Sequence, residues 1–230
     1  MKTLSSCILL FLLLIGNLEA QQLLQPLESI PLSNKGYVLL KTGEIVEGKI
    51  RSTNSGRGIN QVKIEDSEGQ VHTLKAAEIE EFAIAMNGAV RLQYASERGS
   101  SVKKLLSRDQ PTAKPKDFIL FRSTSINGKK ELLLQLLNPD FDEIFEVFYD
   151  PFARKTTTME SKHIVWTGDK HRAYFISKNL EPVVKIKKGN YRRVYASLFG
   201  DCEQMRAGRK PKLDDLASHI LLYQNHCLFN

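Results

Sequence analysis

Tyr37-Val-Leu-Leu-Lys41, then Thr42-Gly43, then Glu44-Ile-Val-Glu-Gly-Lys-Ile50 are two β-branched, apolar runs separated by turn-forming residues. A glycine free to take positive φ between such runs specifies a tight hairpin, so the ordered chain starts as antiparallel sheet. Gly48 lies inside the second run, where a missing side chain predicts a bulge or a close backbone approach. The pattern then repeats: Val62-Lys-Ile-Glu65 alternates, Asp66-Ser-Glu-Gly69 turns, and Val71-His-Thr-Leu74 returns. Ala76–Phe82 reads as a helical turn leading into a strand through Ile84, and Arg91-Leu-Gln-Tyr94 as the segment closing the unit. Short strands packed this densely favour a small twisted sheet or barrel over residues 36–95.

Residues 96–116 carry Gly99-Ser-Ser101, Pro111 and Pro115 among many charges and read as a linker, although Val102–Arg108 has the composition of a short helix. A second antiparallel meander follows over 117–230. Phe118-Ile-Leu-Phe-Arg122 is a strand, Asn127-Gly128 a two-residue hairpin signal, and Glu131–Leu137 the return. Ile144–Tyr149 is stopped by Asp150-Pro151, because proline cannot donate to a ladder. Ile164-Val-Trp166, Ala173-Tyr-Phe-Ile176 and Val183-Val-Lys-Ile186 continue it, with Gly168-Asp169 and Asn179 at turns. The period then becomes helical. Asn190 can cap a helix holding Tyr191, Val194, Tyr195 and Leu198, ended by Gly200. Leu213, Leu216, Ile220 and Tyr223 mark one face of a last helix. The expected fold is mainly β with a C-terminal helical segment (α+β).

The N-terminus reads as an address. Lys2, the unbroken apolar run Ile8–Ile15, the break at Gly16-Asn17 and the small Ala20 are the three parts of a cleavable export signal over residues 1–20. The apolar run is too short for a membrane anchor, which needs about 20 residues. Cys7 precedes that run, whereas the acylated cysteine of a bacterial lipoprotein signal follows it. Gln21–Asn34, with Pro26 and Pro31, reads as a flexible tether occupying 21–35. The expected location is periplasmic or secreted.

Lys2 and Glu19 cancel, so removing the signal leaves the net charge at +7. Export makes nucleic acid a poor partner for that charge and points to anionic envelope material, against the plainer reading of a merely soluble surface. After cleavage only Cys202 and Cys227 remain, one after each helix, which predicts an intramolecular disulfide. A metal or redox site with His219 and His226 is the competing reading, and the paired Cys-x-x-Cys spacing for it is missing.

Asp117-Phe-Ile-Leu-Phe, Glu131-Leu-Leu-Leu-Gln-Leu-Leu-Asn138-Pro139, Val147-Phe-Tyr-Asp150-Pro151, Leu198-Phe-Gly-Asp201-Cys202 and Leu213-Asp-Asp-Leu-Ala-Ser-His219 follow in order. With Tyr223 and Cys227 they resemble a group of exported proteins of Gram-negative bacteria that carry no assigned activity. The resemblance covers roughly 117–227 and implies a compartment and an architecture, with no catalytic residues.

For chemistry, the strongest candidate is a run of cations, Lys185, Lys187, Lys188, Arg192 and Arg193, at a strand end and the first helical turn. They could hold phosphate or carboxylate groups, with Tyr191 and Tyr195 adding stacking. The plainer reading is a solvated rim whose tyrosines face the core. Asp140, Asp142 and Glu143 lack the calcium-loop pattern and read as a solvated acidic turn. His72, His163 and His171 lack a helical partner at zinc spacing. There is no Gly-x-Ser-x-Gly nucleophile elbow and no cofactor signature. The expected function is non-catalytic binding in the cell envelope, to an anionic polymer or another protein. The alternative is a periplasmic hydrolase acting on an envelope polymer with its residues scattered over loops.

Overall fold

The computed structural model describes residues 22–27, 30, 35–55, 58–92, 117–126, 128, 130–150, 174–206 and 210–227, with the backbone of 158–161 and 164–167. The strands expected from alternation form. They are β1 (Lys35–Leu40), β2 (Ile45–Ser55), β3 (Ile59–Glu65), β4 (Val71–Lys75), β5 (Ile79–Ala85), β6 (Phe118–Ile126), β7 (Lys130–Leu136) and β8 (Phe145–Tyr149). Beyond them lie β9 (Thr158–Ser161), β10 (Ile164–Thr167), β11 (Tyr174–Lys178) and β12 (Val184–Ile186). Helices α1 (Tyr191–Phe199), α2 (Glu203–Arg206) and α3 (Leu216–Cys227) end the described chain. The fold is therefore mainly β with C-terminal helices.

One sheet runs in the order β12-β11-β8-β7-β6-β5-β1-β2-β3-β4, and β3 also meets β7 through Ile59 opposite Leu133. That second contact closes β1, β2, β3, β5, β6 and β7 into a six-stranded antiparallel barrel. Two glycines make the local geometry possible. Gly128 takes φ +67° in the β6–β7 turn. A Cβ on Gly48 would collide with the Glu65 carbonyl, which is the close backbone approach its position in β2 implied.

Val38, Ile50, Val62, Phe82, Phe121 and Leu133 fill the barrel at 0 % exposure. Because strand side chains alternate between faces, Leu134 and Leu136 point the other way, and pack with Phe148, Phe175 and Val183 outside the barrel. A third cluster, centred on Phe145, Ile176, Tyr191, Phe199 and Ile220, seats the helices on β8 and β11.

Four expectations need correction. The β units read over 36–95 and 117–230 do not pack separately: β5 pairs with β6 in register from Glu81 opposite Arg122 to Ala85 opposite Phe118. The linker read between them lies outside the described residues. The tether is corrected by its burial, because Leu24 and Leu27 are 4 % and 0 % exposed. Leu24 N–H donates to the Leu137 carbonyl, and the buried Gln135 amide accepts from Leu27 N–H at 2.8 Å and donates to the Gln25 carbonyl. A glutamine side chain thus stands in for a neighbouring strand and straps this segment down. Residues 88–92 form a helical turn with Val90 buried in the barrel core, where a closing segment through Tyr94 was expected. Finally, β10 pairs only with β9, in a two-stranded ladder of its own among the described residues.

Candidate anion-binding surface

The cation run sits where the sheet ends and the helices begin. β12 is the terminal strand of the sheet order, held on one side by β11. Lys185 lies on β12, Lys187 and Lys188 in the turn after it, and Arg192 and Arg193 in the first turn of α1. The helix direction follows from its apolar positions. Tyr191, Val194, Leu198 and Phe199 are buried along one stripe, which turns Arg192 and Arg193 to solvent. All five cations are exposed.

Asn190 holds this arrangement, though not by the capping bond its position implied. Its side chain makes no bond to the first helical N–H groups. Instead Oδ1 accepts from Lys187 N–H at 2.8 Å and Nδ2 donates to the Lys185 carbonyl at 2.9 Å. The strand end, the turn and the helix start are thereby fixed to one another. Lys188 Nζ pairs with Asp214 at 3.1 Å. Among the described residues, Lys185, Lys187, Arg192 and Arg193 have no carboxylate partner. Residues 174–227 hold ten Lys and Arg against five Asp and Glu, a net +5.

The tyrosines do not join the patch. Tyr191 is 1 % exposed and its hydroxyl is hydrogen-bonded with His219 Nδ1 at 2.7 Å, while Tyr195 donates to the Met205 carbonyl. Burial holds the Tyr191 hydroxyl protonated far above its ordinary range. Burial likewise pushes the His219 imidazole down, against the pull of Asp215. Both side chains belong to the aromatic cluster under α1 with Tyr195 and Phe199.

The acidic turn divides. Asp140 and Glu143 are exposed as expected. Asp142 reaches back to Arg122 Nη1 at 2.6 Å, which also binds Glu146 at 2.7 Å, while Nε lies 3.3 Å from Glu81. Tyr37 donates to Glu81 at 2.6 Å. Burial works against the Arg122 charge, but Glu146, Asp142 and Glu81 outweigh it and keep the guanidinium cationic. This network ties β1, β5, β6 and β8 together. Sequence reading missed it, since Arg122 is the last residue of an apolar run and its partners are far along the chain.

A second ionic pin joins the helices to the sheet. Lys178 Nζ contacts Asp201 at 2.7 Å, donates to the Leu198 carbonyl, and lies 4.5 Å from the Tyr223 ring centroid. Burial opposes its charge, and Asp201 and Tyr223 more than restore it. Cys202 and Cys227 face each other at disulfide distance, with Cα atoms 5.6 Å apart. Of the histidines, His72 pairs with Asp66 at 2.7 Å, and His163 and His171 lie outside the described residues. Among the described residues, no group of three or more His, Cys, Asp or Glu is arranged to hold a metal, and no helix is long and apolar enough to cross a membrane. Neither a family model, nor a curated protein, nor a solved structure matches this chain, so its functional reading rests on the geometry of the cationic edge.

Proposed function

We propose that the chain is an exported, non-catalytic binding protein of the cell envelope, which holds an anionic polymer on the edge formed by β12 and α1. The observation that carries this reading is the set of four exposed cations without carboxylate partners, fixed in place by Asn190. Folded proteins usually intersperse both signs of charge on a soluble surface, and here one sign accumulates at one end. Arginine and lysine together suit phosphate and carboxylate groups, the guanidinium by bidentate contact. Export is supported by the three-part N-terminal signal and by the two cysteines at bonding distance.

The test is co-sedimentation of residues 21–230 with purified envelope fractions at low and high salt. The companion variant carries Lys187→Glu, Lys188→Glu, Arg192→Glu and Arg193→Glu. Binding should weaken by at least roughly tenfold both in high salt and in the variant, because exposed charges are screened beyond about one Debye length. Equal binding in all conditions would remove the patch from the mechanism. Exported material should begin at Gln21 and be lighter before reduction than after it by the mass of two hydrogens. A Met1 start or equal masses would remove cleavage or the bridge.

A further inference from the structure

We infer that the polyanion met by this edge is a lipid surface: the β11–β12 hairpin and the start of α1 form a contact site for a bilayer with anionic headgroups. This rests on the reading above and deepens it. The additional observation is apolar. Leu180 at the tip of the β11–β12 turn is 83 % exposed, and Val184 on the terminal strand is 44 % exposed. Leu180 also holds φ +60°, beside Asn179 at φ 53°. Asparagine tolerates that left-handed backbone and leucine does not, so glycine would fill the second position with less strain. The chain instead keeps a large apolar side chain in solvent at a strained point.

Leu180 and Val184 share one short hairpin with Lys185, whose side chain alternates to the opposite face of β12 from Val184. Apolar and cationic groups thus flank one terminal strand, and Lys187, Lys188, Arg192 and Arg193 follow within eight residues. A soluble polyanion would use the cations and leave Leu180 and Val184 without a role. A headgroup layer uses both: apolar side chains enter the boundary with the acyl chains while Lys and Arg stay at the charged surface. Glu181, exposed beside Leu180, sets a limit on depth, and its carbonyl is held by Ser177 Oγ at 2.6 Å so that the turn enters as a fixed shape. The contact is peripheral.

The experiment measures residues 21–230 against vesicles of phosphatidylglycerol mixed with phosphatidylcholine, vesicles of phosphatidylcholine alone, and soluble polyphosphate. Three proteins are compared: the native sequence, Leu180→Gly with Val184→Thr, and the four-site Glu variant. Leu180→Gly relieves the turn, so this protein should melt no lower than the native one. The native protein should bind anionic vesicles and polyphosphate but not phosphatidylcholine. The apolar variant should bind anionic vesicles roughly tenfold more weakly, with polyphosphate binding unchanged. The Glu variant should lose both. Polyphosphate binding without vesicle binding would overturn the lipid inference and leave the polyanion reading standing. Vesicle binding unaffected by the apolar variant would also overturn it, while binding to neither probe would remove both readings.

Discussion

Asn138 shows how much one side chain can decide at the residue scale. It is fully buried at the β7–β8 turn, donates to the Phe141 and Phe145 carbonyls, and accepts from Val147 N–H at 2.7 Å. Buried polar groups stranded without partners are costly, so Asn138→Ala should destabilise the fold by about 3 kcal/mol, read from denaturant unfolding. Asn138→Asp should be no better, since a carboxylate cannot donate to two carbonyls. His219 supplies a pH dependence. Its folded pKa lies below the ordinary 6.5 because burial disfavours the charged ring, with Asp215 opposing. The unfolded chain therefore takes the proton more readily. The contribution of His219 is intact above pH 6.5 and is lost as pH falls from there toward its lower folded value. Unfolding free energies at about pH 7.5 and about pH 5 should differ more for the native protein than for His219→Gln; identical slopes would rule this out.

Among the elements, the segment over residues 22–27 contributes more than its composition implies. Leu27 belongs to the barrel core and Leu24 to the cluster under the helices, so this short stretch links both. Leu27→Ala removes a fully buried side chain and should cost about 3 kcal/mol, with the midpoint of denaturant unfolding shifted and its slope unchanged. An exposed tether would show no such change. The α1 helix makes the complementary point. Its buried stripe sets which side chains are free to meet a ligand, and Asn190 fixes where the adjoining turn goes. Changing Asn190 should therefore weaken binding to anions by loosening the turn, even though the residue carries no charge.

For the whole molecule, the barrel closes only when strands from both sides of residues 96–116 are present. β5 pairs with β6, and β3 with β7. Residues 21–95 alone would leave Phe82 without Phe121, 5.4 Å away between ring centroids, and would expose the edge of β5. The expectation is that 21–95 and 117–230 are each unfolded by circular dichroism and that the full chain unfolds in one transition. Two separate transitions would mean that the halves are independent. Charge is uneven along the chain: residues 35–92 hold eight Lys and Arg against eight Asp and Glu, and residues 174–227 hold ten against five.

The strands of the ten-stranded sheet, their turns and the two long helices were legible in the sequence because they are set locally, whereas β9 was not read. Gly43 and Gly128 mark turns, alternation marks Val62–Glu65, and the spacing of Leu213, Leu216, Ile220 and Tyr223 marks the last helix face. The cation run was legible for the same reason: its members are neighbours in the chain. Barrel closure, the strap of Leu24 and Leu27 on Gln135, and the Arg122 network were not. Each is a pairing between residues far apart in sequence, where neither partner's composition marks the other. Leu24 and Leu27 sit among Gln, Pro and Ser, so their surroundings read as a solvated tether until Gln135 supplies the partners. Periodicity determines which face of an element is apolar; only the folded chain decides which distant face covers it.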